Sequence, residues 1–361
     1  MFKLLKYGAL IILGVLTLAT FTISNEEIIN FSSAKNLARL AVMVLFIVLL
    51  LATFRGIPSA PKAIGSKKYQ LWTRSLCLIL PCLAITFAAI NLLLPEIGFA
   101  IVKGNGNANM TRPGIYIKMM CDLISFGILL CIAVKFLKTK NWLPLVVVSL
   151  LAIVLFWMAM EEISWGQRLM QWDTSDFFAN NNEQSETNLH NLNTQLFQNV
   201  LYFGGFILLV VLPFFHDYLS RFFSRFKLTS WLPAFLPSAW LIGAFAAGIG
   251  FVDPAASDIG WRWSSILFAL LMTGAILITY TWRLKRKNDR RFRQILVTLI
   301  AFLAVTIMSF IGEELRDIDP GAPTEYIELF IAFGILCWII DLKVRFKSKS
   351  FNIIPAREMT V

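Results

Sequence analysis

Ten stretches of predominantly apolar residues, each long enough to cross a lipid bilayer as a helix, dominate this sequence. A helix needs roughly 17–25 such residues to cross about 30 Å of hydrocarbon. The apolar segments cover residues 7–24, 37–54, 75–94, 116–134, 143–160, 200–219, 232–252, 264–282, 295–312 and 325–341. The chain is therefore expected to be an all-α polytopic transmembrane helix bundle of about ten spans.

The connections between these segments are mostly short, which predicts one integral membrane domain over residues 1–361. Hydrophobic residues make up 57% of the chain, against about 45–50% in soluble proteins. The first apolar segment follows Lys3 and Lys6 without a small-residue cleavage site. We expect it to remain in the protein as an anchor.

The basic residues are distributed unevenly between the two sides of the predicted bundle. With ten spans, the side that holds both termini carries 25 of the 33 Lys and Arg but only 4 of the 22 acids. Short cytoplasmic loops are enriched in Lys and Arg, so both termini are predicted to be cytoplasmic in an inner (plasma) membrane. The net charge of +11 does not indicate nucleic-acid binding, because no aromatic-basic interleaving or fold signature accompanies it.

Polar chemistry is concentrated between the fifth and sixth spans, where residues 161–199 are expected to form an outer-face functional loop or helix. Glu161 and Glu162 end an apolar run. Two like charges at such a position need a cation or a hydrogen-bond donor nearby. If the fifth helix continues, Glu161, Trp165 and Arg168 share a face. The candidate compensators are Arg168, Arg262, Arg316 or a bound metal ion.

The Asn-rich part of this stretch contains a second set of candidates. If residues 181–199 form a helix, Glu186 and His190 share a face and could ligate one divalent cation; the alternative is that His190 is only a hydrogen-bonded residue. The amides of Asn188 and Asn191 suit sugar or headgroup hydroxyls, or they merely join the loop to the bundle. The substrate-binding candidates are Trp165, Gln167, Asn188, Asn191 and Arg262.

The ninth apolar segment ends in a similar way, with Glu313 and Glu314 followed by Arg316. We expect these residues to converge with the first acidic stretch in one outward-facing cavity, because the two sets need mutual compensation. The catalytic candidates are Glu161, Glu162, Arg168, Glu313, Glu314 and Arg316. Glu26 and Glu27 also end an outward-going helix, so a threefold internal repeat is a further hypothesis.

The motif EEISWGQR, followed by N-x-x-Q-x-E-x-N-L-H-N, covers Glu161 to Asn191. It resembles a pattern in an uncharacterised family of bacterial polytopic inner-membrane proteins that has no established activity. The resemblance implies a bacterial inner membrane and marks this stretch, without implying a reaction.

Two main functions remain open from the sequence. The first is an enzyme acting on the headgroup of a lipid or lipid-linked glycan, with a glutamate as base or metal ligand and an arginine on phosphate. The second is a cation- or proton-coupled transporter or flippase; a structural envelope role is a third. Few polar residues fall near the middle of the apolar segments, which favours the enzyme and makes membrane lipids the expected partners. The sequence does not indicate an oligomeric state.

Overall fold

The computed structural model describes residues 2–21, 34–54, 66–103, 113–182, 185–226, 229–251, 260–312 and 322–347. Within these ranges the chain is helical, without strands. The α-helices are α1 (Phe2–Phe21), α2 (Ala34–Thr53), α3 (Lys67–Leu93), α4 (Pro95–Lys103), α5 (Pro113–Lys138), α6 (Trp142–Glu162), α7 (Gln167–Met170), α8 (Asp176–Asn181), α9 (Thr194–Phe206), α10 (Leu212–Phe223), α11 (Trp240–Phe245), α12 (Gly260–Arg286), α13 (Phe292–Ile311) and α14 (Ala322–Lys347).

Seven helices in the described ranges are long and apolar enough to cross a membrane. They are Asn36–Thr53, Lys67–Leu93, Pro113–Lys138, Trp142–Glu162, Leu196–Phe223, Ser265–Arg286 and Phe292–Ile311. The fifth of these joins α9 to α10 through a π-helical turn, Ile207–Val211. Large apolar side chains such as Ile11 and Ile153 are more than half exposed on the bundle surface, as suits contact with lipid. The predicted all-α class is confirmed, and the seven long apolar helices fit the expected membrane helix bundle.

The apolar segment 232–252 differs from the continuous helix that its composition predicts. It contains a short 3₁₀ turn at Leu232–Ala234, the six-residue helix α11 and a second 3₁₀ stretch, Ala246–Gly250. Pro233 and Pro237 interrupt regular helix formation at its start. Small residues then let it pack closely: a Cβ added to Gly248 would lie 2.7 Å from the Phe330 ring.

This segment runs beside α14 for most of that helix. At one end the hydroxyl of Ser238 donates to Asp341 at 2.6 Å, and at the other the ring of Phe251 stacks on Tyr326 with centroids 5.2 Å apart. Asp341 and Tyr326 are separated by about 22 Å along a helix that rises 1.5 Å per residue. The irregular segment therefore extends along much of the bundle's length.

Helices α5, α6 and α14 position the polar site. The short turn after Lys138 makes α5 and α6 an antiparallel pair, and α14 packs on α5, with Cys121 of α5 in one apolar cluster with Leu336 of α14. The start of α5, the end of α6 and the start of α14 consequently lie at the same end of the bundle. Every one of these three termini carries a carboxylate or an amine.

Candidate functional site

The chain reverses sharply at the end of α6. Ser164, Trp165 and Gly166 have φ values of 48°, 55° and 93°, a left-handed conformation that costs energy for the first two because they carry a Cβ. Hydrogen bonds hold this turn in place. The Ser164 hydroxyl donates to Glu186 at 2.8 Å, and the Trp165 indole nitrogen donates to Glu161 at 2.7 Å.

Glu161 organises the loop that follows. Its carboxylate accepts the backbone N–H groups of Leu189 at 2.7 Å and His190 at 2.9 Å, in addition to the Trp165 indole. The His190 ring nitrogen Nδ1 lies 3.2 Å from the same carboxylate. The Glu161 side chain is only 5% exposed. Its oxygens accept hydrogen bonds from groups inside the protein. This carboxylate acts as a hydrogen-bond anchor for the loop.

The amide side chains of the motif are used within the loop. Gln167 accepts the backbone N–H of Thr187 at 2.6 Å and donates to the Thr174 hydroxyl at 2.5 Å. Asn188 is fully buried and donates to Ser164 at 3.2 Å. Asn191 is 1% exposed; its side-chain oxygen accepts the Thr194 hydroxyl at 3.3 Å, whereas its side-chain nitrogen Nδ2 has no hydrogen-bond partner. The contacts of Gln167 and Asn188 are therefore those of loop stabilisation.

The arrangement of Glu186 and His190 differs from the helical one on which the metal hypothesis depended. The backbone forms bends from Ser185 to Thr187 and only a 3₁₀ turn at His190–Leu192, so the two residues do not share a helical face. Glu186 accepts hydrogen bonds from Ser164 and Asn188, whereas His190 contacts Glu161. In the described part of the chain, no group of three or more His, Cys, Asp or Glu residues is placed to hold a metal ion.

Glu162 points in another direction, into the bundle, where it meets Lys118 of α5. The Lys118 ammonium lies 3.1 Å from Glu162, 3.0 Å from Glu325 and 2.5 Å from Glu328. The lysine side chain is 6% exposed. Tyr202 of α9 donates its hydroxyl to the other oxygen of Glu328 at 2.8 Å. Helices α5, α6, α9 and α14 thus meet at one buried polar cluster.

A fourth acid lies one helical turn deeper. Asp122 follows Lys118 by four residues on α5, is 2% exposed and interacts electrostatically with Glu162 and Lys118. Its Oδ1 atom has no hydrogen-bond partner. With 1.5 Å per residue, Asp122 is about 14 Å from the start of α5. The site therefore extends past the helix ends into the bundle. We call Lys118, Asp122, Glu162, Tyr202, Glu325 and Glu328 the carboxylate cluster.

His190 connects the loop to this cluster. Its side chain is 34% exposed, and it interacts electrostatically with both Glu162 and Glu328. Glu161 thus belongs to the loop and Glu162 to the carboxylate cluster. His190 interacts with both glutamates at the more exposed edge of the site.

Among the described side chains, a cation that compensates Glu162 is Lys118, a residue absent from the sequence-based candidates. Glu325, Glu328 and Tyr202 were also missed. A detectable signal existed: Lys118 and Asp122 are spaced i, i+4 inside an apolar segment, and Glu325 and Glu328 are spaced i, i+3 at the start of another. Charges spaced in this way share a helix face and rarely enter a membrane helix without a partner.

The remaining candidates lie outside the residues or side chains that the structure describes. They are Glu26, Glu27, Arg168, Arg262, Glu313, Glu314 and Arg316. Convergence of the first acidic stretch with Glu313 and Glu314, and the threefold repeat, thus stay predictions.

The charge balance of the carboxylate cluster limits its chemistry. One ammonium is shared by three carboxylates, and Asp122 adds a fourth acid. Like charges at this distance in a poorly solvated interior raise the free energy unless protons or further cations neutralise them. The arrangement is suited to holding an ammonium-type cation, as it holds the Lys118 ammonium, or protons. It repels a phosphate. Comparison of the chain with protein-family models, curated proteins and solved structures gave no match.

Proposed function

We propose that this protein is a transporter or flippase of the bacterial inner membrane that binds an ammonium-type cation at the carboxylate cluster. The observation that carries the proposal is the excess of acid over base around the buried Lys118, whose ammonium is shared by three half-buried glutamates. Ionisable residues inside membrane helices are costly and commonly mark ion paths or proton relays. A cation bound during transport would neutralise the acids and so remove the free-energy cost of keeping them inside the membrane helices.

The depth of Asp122 adds to this proposal. The sequence favoured an enzyme because few polar residues were expected near the middle of the membrane, whereas this carboxylate is about 14 Å along α5. The irregular segment Trp240–Gly250 is a second supporting feature. Interrupted helices recur in transporters at the places where substrate and coupling ions bind.

The proposed topology has ten crossings with both termini in the cytoplasm. The seven long apolar helices supply seven crossings, and α1, the irregular segment and α14 would supply three more. Helix α14 carries Glu325, Glu328, Asp341 and Arg345 in addition to its apolar residues. Their pairing inside the bundle offsets the cost of placing them in a membrane. In this topology, the carboxylate cluster faces the outer side.

Cation uptake by purified protein in liposomes tests the proposed function. We expect methylammonium to raise the melting temperature of the wild type and to support a flux that Glu328→Gln abolishes. Asp289→Asn is the matched control, because it removes an acid that pairs with Arg291 outside the cluster. Flux that is equal in the wild type and the Glu328 variant, or no response to methylammonium, would refute the proposal.

Turnover of a lipid or lipid-linked glycan remains the alternative proposal. It needs a cation free to contact phosphate, and Lys118 is already engaged by three carboxylates. The arginines that could serve, Arg168, Arg262 and Arg316, have side chains outside the described part. Loss of lipid turnover in both Glu162→Gln and His190→Ala, with the fold retained, would support this alternative.

A further inference from the structure

Asp122 stands apart from the other acids of the carboxylate cluster. Glu162, Glu325 and Glu328 each contact the Lys118 ammonium at 3.1 Å or less, whereas Asp122 Oδ1 has no hydrogen-bond partner. Its side chain is also 2% exposed. A carboxylate that is both desolvated and unpartnered is among the costliest groups to keep ionised in a protein interior.

The groups that face Asp122 do not remove this cost. On its own helix the nearest charge is Lys118, whose ammonium is shared among three carboxylates. From α6 it faces Glu162, which is negative when ionised. Across Lys118, α14 supplies only Glu325 and Glu328, two further acids. Among the described residues, the other base near the cluster is His190, which interacts electrostatically with Glu162 and Glu328.

We propose that Asp122 is the proton-holding residue of the cluster and releases its proton when a cation binds there. This inference rests on the proposed function and identifies the proton as the ion that is exchanged for the bound cation. The O–H bond of the Asp122 carboxylic acid breaks, the proton passes to water, and the carboxylate left behind neutralises the incoming cation. The half-exposed imidazole of His190, which interacts with Glu162 and Glu328, lies at the rim where the proton leaves.

Infrared spectroscopy of purified protein tests this assignment. We expect a protonated-carboxyl C=O band that shifts in D₂O, shifts again when aspartate is labelled with ¹³C, and disappears in Asp122→Asn. The labelling distinguishes Asp from Glu without any substitution, so the test does not depend on folding of the variant. Asp289→Asn is the control and should keep the band, because Asp289 pairs with Arg291.

Adding methylammonium at constant pH should remove the band and release protons into a weakly buffered solution. Absence of a ¹³C-sensitive band, or a band that Asp122→Asn leaves unchanged, would overturn the assignment even if methylammonium binds. Methylammonium binding that leaves the Asp122 band in place would overturn the coupling. An Asp122 band in protein that does not bind methylammonium would support the proton site and refute the proposed function.

Discussion

At the residue scale, two adjacent glutamates have different environments because successive helical residues point about 100° apart. Glu161 faces the loop and accepts three N–H groups, whereas Glu162 faces the bundle and pairs with Lys118. In the motif that begins with these residues, Glu161 is thus the hydrogen-bond anchor of the loop and Glu162 is a member of the carboxylate cluster. Substitutions at the two positions should be separable by experiment.

The first prediction concerns loop stability in Glu161→Gln. An amide offers one acceptor oxygen in place of two, so at least one buried donor loses its partner, at a cost of about 1–3 kcal/mol. Hydrogen exchange at the amides of Leu189 and His190 should accelerate. Glu162→Gln is the matched control, since Glu162 has no hydrogen bond to either amide; equal acceleration in both variants would contradict the separation of roles.

The second prediction concerns Lys118→Met. This change leaves three carboxylates without their shared cation, and breaking a buried ion pair from one side costs about 3–5 kcal/mol. Denaturant unfolding in detergent should show that loss, and adding Glu325→Gln and Glu328→Gln should recover much of it. Lys138→Met, at an exposed position on the same helix, should be nearly neutral. A Lys118 variant as stable as the Lys138 control would show that the lysine is not the compensating charge.

At the element scale, the apolar pattern predicts the helices well and the polar partnerships poorly. Segment 116–134 was expected as a span, and α5 occurs there as Pro113–Lys138. Its pairing with α14 joins residues more than 200 positions apart, which helical periodicity does not reveal. The irregularity of segment 232–252 was missed as well, because hydropathy records apolarity whether or not prolines and glycines interrupt the helix.

The third prediction concerns the packing of that irregular segment. In Gly248→Ala, the new Cβ would lie 2.7–2.8 Å from side-chain atoms of Phe330, so α14 or the ring must move, at a cost of about 1–3 kcal/mol. Gly204→Ala is the control, because its Cβ would meet no atom within 4 Å. Thermal unfolding should show a lower melting temperature for the Gly248 variant alone. Equal melting temperatures would indicate that α14 moves to make room for the new methyl group without loss of stability.

At the scale of the whole molecule, α14 connects two buried charged networks. Near its start, Glu325 and Glu328 bind Lys118 of α5. Near its end, Asp341 pairs with Arg345 at 2.9 Å and accepts the hydroxyls of Tyr69 and Ser238. Networks at both ends fix α14 against the rest of the bundle.

The fourth prediction concerns orientation in the membrane, which follows from the 25 basic residues on one side of the ten-span topology. Lys138 and Asn181 are exposed residues that flank α6, so a transmembrane α6 places them on opposite sides. In a variant whose five native cysteines are replaced, a membrane-impermeant maleimide should label Asn181→Cys in intact cells. Lys138→Cys should react only after permeabilisation. The reverse result would invert the orientation, and equal accessibility of the two sites would refute a transmembrane α6.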